Sequence, residues 1–501
     1  MRDRASHVAL TVLGLAVVLG VAGNLLLRVE PWGLNALVAA LAFALGFHLL
    51  VRRLHLPVRG AGLWLWATVP VLAAVLAWRA SPPLIVAAVL GVLIALVATA
   101  VVAHARDPRD SDTWDLIAEA LATGLHAAFG IARLAIMMQA GAMRWAPWHT
   151  RTGAIVRGIV LAVPPLVVFG ALFVSADAAF AHLLDNLITI ELDQVASHVI
   201  LTGVFAWLAA GWLYWVVASD GGDLPRSHTL SLGLGALEVG VALGLVMALF
   251  VVFIAVQSAY LFGGEALVQA TTGLTYAEYA RRGFFELVAA AFLVLPLLLV
   301  GLWLVRHQPA RDQRAVRMMA AGLEVLILVI LASALYRMHL YQEAYGLTQL
   351  RFLTTAFIIW LAVIFVLFSA TVLRGAPRYF TAGAVTTALA AAVLLAIVNP
   401  DARIVEANLQ RAHLGAAFDA GYVRTLSADA VPALVAALPT LPEPGRCATA
   451  HWLVTRWGSE ARARRPGDWR TWNYSRANAQ RLVQEHEPLL RTLACPPEPD
   501  L

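Results

Sequence analysis

The feature that most constrains this chain is a series of long apolar runs. Each is about 17–25 residues, the length that crosses a bilayer core of roughly 30 Å as a helix. They fall at 7–27, 32–51, 62–78, 83–103, 155–175, 196–218, 232–261, 284–305, 318–336, 352–373 and 380–398, which predicts eleven spans. Lipid offers the backbone no hydrogen-bond partners, so such runs become helices. The weaker ten-residue alternation of a membrane β-barrel is absent. The expected fold class is therefore all-α: a polytopic transmembrane helix bundle with a small helical C-terminal soluble domain. At 60% hydrophobic and 13% charged residues, the 501-residue chain is far too apolar for a string of soluble domains, where about a quarter of residues are charged.

Orientation follows from arginine placement, because basic residues near span ends are retained in the cytoplasm. All 36 basic residues are Arg. With the N-terminus inside, 18 of them fall on inner connections, 6 on outer ones and 12 in the tail. The outer six are Arg28, Arg79, Arg281, Arg282, Arg337 and Arg351. Eleven spans then put the tail from Asn399 onward outside the cytoplasm, and the bias fits the bacterial inner membrane. The first run, behind Arg2 and Arg4, loosely resembles a signal peptide, but Gly20-Val21-Ala22 is a poor cleavage site and an uncleaved anchor is expected. A net charge of +5 is spread over many loops without a basic tract, so no nucleic-acid partner is expected.

The chain divides into a four-span unit at 1–103, a cytoplasmic connection at 104–154, a seven-span core at 155–398 and a soluble domain at 399–501. Within the connection, Trp114, Ile117, Leu121, Leu125, Ala128, Ala132 and Ile136 recur at helical spacing and predict an amphipathic helix on the membrane face. Asn399-Pro400-Asp401 supplies a helix stop and a new cap. Helical patterns follow near 401–412, 427–438, 446–457 and 473–492. Cys447 and Cys495 fit a disulfide if the tail lies in an oxidising compartment, with two unpaired structural cysteines as the alternative.

Few residues point to chemistry. Thr275-x-x-Glu278 is a capping box, and Glu278, Arg282 and Glu286 recur every four residues, so they stack and pair on one helix face. Tyr345-Gly346-Leu347-Thr348 reads as a helix stop at Gly and a new cap at Thr. Glu238 and Glu324 each sit about six or seven residues into a span, roughly 10 Å deep, where a carboxylate must be paired, protonated or wet. Their equal depth allows a shared intramembrane polar site. Asn24 and Gln257 are expected to bond between helices. His-Glu-x-x-His, Walker A, dinucleotide and nucleophile-elbow patterns are absent, so no metal or cofactor is expected.

Three blocks carry a resemblance. The first is Phe169-Gly170-Ala171-Leu172 with Ser175-Ala176-Asp177. The second runs from Gln257 through Tyr260 and Gly263-Gly264 to Gly273-Leu274-Thr275-Tyr276-Ala277-Glu278-Tyr279-Ala280-Arg281-Arg282-Gly283-Phe284-Phe285-Glu286. The third is Ser333 to Met338 with Tyr345 to Arg351. Asn399-Pro400-Asp401 and Asp468-Trp469-Arg470-Thr471-Trp472-Asn473 complete it. Over roughly residues 155–480 the chain resembles an uncharacterised bacterial polytopic membrane-protein family of the domain of unknown function 4153/4173 type. The resemblance implies the architecture and no activity.

In the predicted topology these blocks meet on the outer face. Asp177, Tyr276, Glu278, Arg281, Arg282, Glu286, Arg337, Tyr345 and Arg351 form the candidate outer site. The expected role is an extracytoplasmic sensing or envelope-associated scaffold, with lipid around the bundle and a protein partner at the outer face or C-terminal domain. An ion- or proton-coupled transporter or channel using Glu238 and Glu324 is the alternative. A membrane enzyme has only Asp177, Arg281 and Arg337 as polar candidates. Oligomeric state is not legible.

Overall fold

The computed structural model describes residues 2–54, 60–104, 122–124, 127, 193–218, 236–262, 284–443, 445–460 and 467–495. Among the described residues there is no strand. The long helices are α1 (Arg2–Leu27), α2 (Leu34–Arg53), α3 (Gly60–Trp78), α4 (Pro82–His104), α5 (Asp193–Ala218), α6 (Ala236–Phe262), α7 (Phe284–Leu304), α8 (Ala310–Tyr345), α9 (Gln349–Thr371) and α10 (Arg378–Val398). Nine helices among the described residues are long and apolar enough to cross a membrane. The predicted span at 155–175 and nearly all of the amphipathic connection lie outside the described residues. So do Asp177, Tyr276, Glu278, Arg281, Arg282 and the Glu286 side chain.

The helices form two packed groups. In the first, α1 lies against α5 and α2, and α3 against α2 and α4. Close approach of α1 and α5 is set by Gly20, whose Cα faces Thr202 and Ala206 with no room for a side chain, the small-residue contact that membrane helices use where lipid gives no hydrophobic drive. Asn24 of α1 bonds His198 of α5 at 2.8 Å, the interhelical role expected of it. In the second group, α8 is central among α6, α7 and α9, around Ala320, Leu323, Ile327, Leu331, Phe365 and Phe368. The groups join where α10 packs on α3 and α4.

Outward stripes such as Leu41, Leu45 and Leu49 on α2 are about half exposed or more. On a soluble surface such stripes would be costly, whereas in a bilayer lipid covers them. The 36-residue α8 outruns its predicted span at both ends, because about 54 Å of helix exceeds the bilayer core.

The helices alternate between two ends. Arg52, Arg53, Arg306, Arg311, Arg314, Arg317, Arg374 and Arg378 lie at one end, with the starts of α1, α3, α6, α8 and α10. Arg28, Arg79 and Arg351 lie at the other, where the tail is attached.

The tail is helical: α11 (Pro400–His413), α12 (Ala420–Val423), α13 (Val431–Ala437), α14 (Gly445–Trp457), α15 (Tyr474–Glu485) and α16 (Glu487–Leu493). It has its own apolar core of Val431, Leu438, Leu453, Ala479, Val483 and Leu490. Asn399 ends α10 in the left-handed region at φ 55° and caps α11 by accepting from Ala402 N, so the stop and the start predicted there are one residue. Cys447 and Cys495 are joined as a disulfide, with Cα atoms 5.0 Å apart.

Candidate functional site: a buried carboxylate hub under the C-terminal domain

The polar groups of the tail-bearing end converge on two carboxylates, Asp401 in the first turn of α11 and Asp429 in the 3-10 turn before α13. Both are essentially inaccessible, at 0% and 2% exposure. Burying a carboxylate costs several kcal/mol unless donors replace its water shell, and here they do.

Asp429 Oδ2 accepts from the backbone N–H of Ala80 and Ser81, both at 2.8 Å. Those amides are free because α4 starts at Pro82, so the carboxylate sits at a helix N-terminus, the end that favours an anion. Asp429 Oδ1 accepts from Ser475 Oγ and faces Arg79 Nη1 at 3.5 Å. Arg79 in turn donates from Nε to Ala396 O at 2.7 Å, placing a cation at the C-terminus of α10, the end that favours one. The ion pair thus links two helix ends of opposite polarity.

Among the described residues Asp401 forms no ion pair with an arginine and is held by neutral donors. Gln349 Nε2 donates at 2.7 Å and Ser81 Oγ at 3.3 Å to Oδ1. Ser427 donates to Oδ2 from N at 3.1 Å and from Oγ at 2.6 Å. The same Ser427 Oγ lies 3.1 Å from Asp429 Oδ2 and accepts from Asp429 N. Its single proton serves the nearer carboxylate, so one hydroxyl spans the two acids.

Around this hub the tail grips three connections, α1–α2, α3–α4 and α8–α9. Asn473 Nδ2 donates to the carbonyls of Leu76 and Arg79, both at 2.9 Å, satisfying last-turn acceptors of α3, while its Oδ1 caps α15 through Arg476 N. Asn408 exchanges two 2.8 Å bonds with the backbone of Leu347. Tyr422 Oη accepts from Gln349 N at 2.7 Å. Burial pushes the Tyr422 phenol above its ordinary value, with the Asp401 charge adding to the effect. Burial pulls the Arg476 guanidinium below its ordinary value, against the opposing pull of Asp429. Leu34 N donates to Trp472 O, and a side chain at Gly33 would collide with that carbonyl.

Every acceptor at the hub is occupied and closed to solvent, so the arrangement suits fastening rather than turnover. Its reach across the molecule is wide. Ser81 belongs to the first helix group and Gln349 to the second, and both donate to the same oxygen of Asp401.

The predicted site residues are only partly brought together. Tyr345 and Arg351 meet in the α8–α9 turn, where Arg351 Nη1 donates to the carbonyls of Tyr345 and Gly346 and its guanidinium lies 4.0 Å from the Tyr341 ring centre. Gly346 adopts φ 80° and Thr348 caps α9 by accepting from Arg351 N, as the sequence predicts. Arg337 is buried within α8.

Glu238 and Glu324 are not neighbours. The helices α6 and α8 run side by side with Gly244 at Met319 and Met247 at Gly322. That register leaves the two carboxylates about eleven residues apart along the axis, on the order of 16 Å. Glu238 is exposed in the first turn of α6. Glu324 is buried, bonded to Ser369, and its Oε2 has no hydrogen-bond partner among the described residues. Equal depth in sequence does not become equal height, because α6 and α8 are displaced along the bundle.

The hub itself was not singled out by sequence reasoning. Arg79 counted only as an outer arginine, Asp401 only as part of a cap, and Asp429 and Ser475 not at all. The available signal was the three-residue turn Arg79-Ala80-Ser81 before Pro82, which leaves two helix-initiating amides needing an acceptor.

Comparison with curated proteins and with solved structures returned no match. A family profile described as Domain of unknown function (DUF4153) matches residues 63–437. The match starts at α3, earlier than the blocks noted above, and takes in Arg79, Ser81, Gln349, Asp401 and Asp429. It stops before the Asp468–Asn473 segment. Covering most of the chain, it establishes that this multi-pass membrane protein belongs to the DUF4153 family.

Proposed function

We propose that the protein is an envelope scaffold or sensor of the bacterial inner membrane, in which the helix bundle holds the C-terminal domain rigidly at the extracytoplasmic face for a protein partner to read. The observation that carries this reading is the Asp401–Asp429–Arg79 hub. A domain fastened by buried charges to several helix ends is presented in one orientation, whereas a tethered enzyme or a passive tail needs no such fastening. Two further points support the side. Most of the described arginines outside the tail lie at the opposite end, which fits the retention of basic residues in the cytoplasm, and the Cys447–Cys495 pair belongs in an oxidising compartment.

A second reading, proton or ion handling within the bundle, is favoured by Glu324 alone, since an intramembrane carboxylate is costly and commonly functional. Paired C-terminal reporter fusions, one active only in the cytoplasm and one only outside, test the first reading. Outside activity is expected, and cytoplasmic activity overturns the proposed face. Proteoliposomes carrying Glu324→Gln test the second, which fails if no proton flux of the wild type depends on that residue.

A further inference from the structure

The short tip of the tail from Asp468 to Tyr474 differs from the rest of the domain surface. Trp469, Trp472 and Tyr474 are 58%, 47% and 51% exposed, three large aromatics left half uncovered within six residues. Burying an aromatic ring is strongly favourable in water, so three such rings in a row need a cover.

Their position identifies it. Arg470 Nη1 donates to Leu25 O at 2.9 Å, on the last turn of α1, and Trp472 O accepts from Leu34 N at 2.8 Å, at the first residue of α2. The tip therefore sits at the level where the two helices leave the bilayer core. Immediately beneath it run the outward apolar residues of those helices, Val21 and Leu25 on α1 among them, at 43% and 52% exposure. The aromatic tip is seated at the end of those helices where that stripe stops. Trp and Tyr concentrate at this depth because the ring is apolar and its N–H or O–H reaches water.

Charge argues against an electrostatic site for acidic lipid or for a protein. The one cation of the tip, Arg470, is forked onto Asp468, with Nη2 at 2.7 Å and Nε at 2.9 Å from Oδ2. Asp468 is held below its ordinary value by that arginine, so the pair stays neutral overall across the physiological range. What remains to be recognised is aromatic surface at interface depth.

We infer that the Trp469–Tyr474 tip is a membrane-interface anchor that rests the C-terminal domain on the lipid headgroup layer beside α1 and α2, binding zwitterionic lipid through its rings. The inference holds for either orientation of the bundle, so it stands or falls separately from the proposed face. It gives the domain a second support besides the buried hub.

The test uses the full chain in phosphatidylcholine nanodiscs. Because Cys447 and Cys495 are paired, Trp469→Cys offers the single free thiol for a nitroxide, with Tyr474→Cys as a second position should the first disturb the tip. Arg481→Cys, at a residue whose side chain is 64% exposed and roughly 10 Å further along α15, is the aqueous reference. At 469 and 474 the ratio of oxygen to nickel-chelate collision rates is expected to exceed that at 481 several-fold, and to stay there when phosphatidylglycerol is added. A ratio at 469 and 474 equal to that at 481 overturns the anchor. Shielding from both reagents overturns it as well, because a protein surface then covers the rings.

Discussion

Replacing Asp429 by alanine gives the sharpest test of the hub. The change leaves Arg79, whose side chain is 10% exposed, facing a cavity, and it strips the acceptor from the Ala80 and Ser81 amides. Breaking a buried ion pair from one side costs about 3–5 kcal/mol, and an orphaned buried N–H about 1–3 kcal/mol. These costs overlap, since a relaxed turn admits water to the amides, so about 5 kcal/mol is the expected loss. That is comparable to the whole stability of a small domain, about 5–15 kcal/mol. The domain should therefore detach or open locally while its disulfide-closed core persists.

Hydrogen exchange on the detergent-solubilised full chain reads this directly. Peptides covering 76–82 and 399–430 should exchange faster by about three and a half orders of magnitude, since about 1.4 kcal/mol corresponds to a factor of ten. Asp429→Asn keeps the shape and one acceptor oxygen, and should lose about half as much. Arg79→Met combined with Asp429→Leu removes both charges and should recover the ion-pair part of the loss, because apolar replacement of a buried pair is commonly neutral, but not the part from the Ala80 and Ser81 amides, which leucine leaves without an acceptor. Unchanged exchange at 76–82 in Asp429→Ala, or a double variant as damaged as the two single changes summed, would refute the hub as the fastening element.

Asn473→Ala removes two bonds to the carbonyls of Leu76 and Arg79 and the cap of α15, and should lower the unfolding free energy of the tail by about 1–3 kcal/mol, read as a lower denaturant midpoint; an unchanged midpoint argues that α3 does not need this cap. Cys447→Ser opens a loop with a sequence separation of 48, so tail stability should fall by about 4 kcal/mol on loop entropy, and reductant should reproduce the fall in wild type but not in the variant. The raised Tyr422 phenol predicts an alkaline limit. A group whose folded value lies above its unfolded value contributes fully below the unfolded value of about 10, and its contribution is lost as pH rises through the folded one. Between pH 9 and 12 the exchange protection of Gln349 N should therefore decline in wild type, and Tyr422→Phe should start lower and show less of that decline.

The spans and the tail helices were legible because their cause is local. A run of apolar side chains long enough to cross lipid has few alternatives, and the Gly346, Thr348 and Asn399 boundaries follow from backbone chemistry within two or three residues. The hub was not legible for the opposite reason. Its members lie at 79–81, 349, 401, 427–429 and 473–475, and nothing in the spacing says that an amide at 80 will be answered by a carboxylate at 429. Locally, Ser427-Ala428-Asp429 looks like a surface turn, and Ser427 does cap that turn. The Glu238–Glu324 pairing failed in a related way, because depth counted from each span end ignores the slide of α6 along α8.

The geometry of the hub bears on the choice between scaffold and transporter. Many alternating-access transporters move one helix bundle or repeat as a body against another. Here Asp401 ties Ser81 of one helix group to Gln349 of the other, and Arg79 ties the end of α3 to the end of α10. A rocking motion between the groups would have to part buried hydrogen bonds at the tail-bearing end in every cycle. If the protein nonetheless carries ions past Glu324, Asp429→Ala should release the clamp and raise the flux, whereas loss of the hub in a scaffold abolishes partner recognition and changes no flux. A flux that vanishes in Asp429→Ala, in protein whose bundle remains folded, fits neither scheme and would require the hub to lie on the transport path itself.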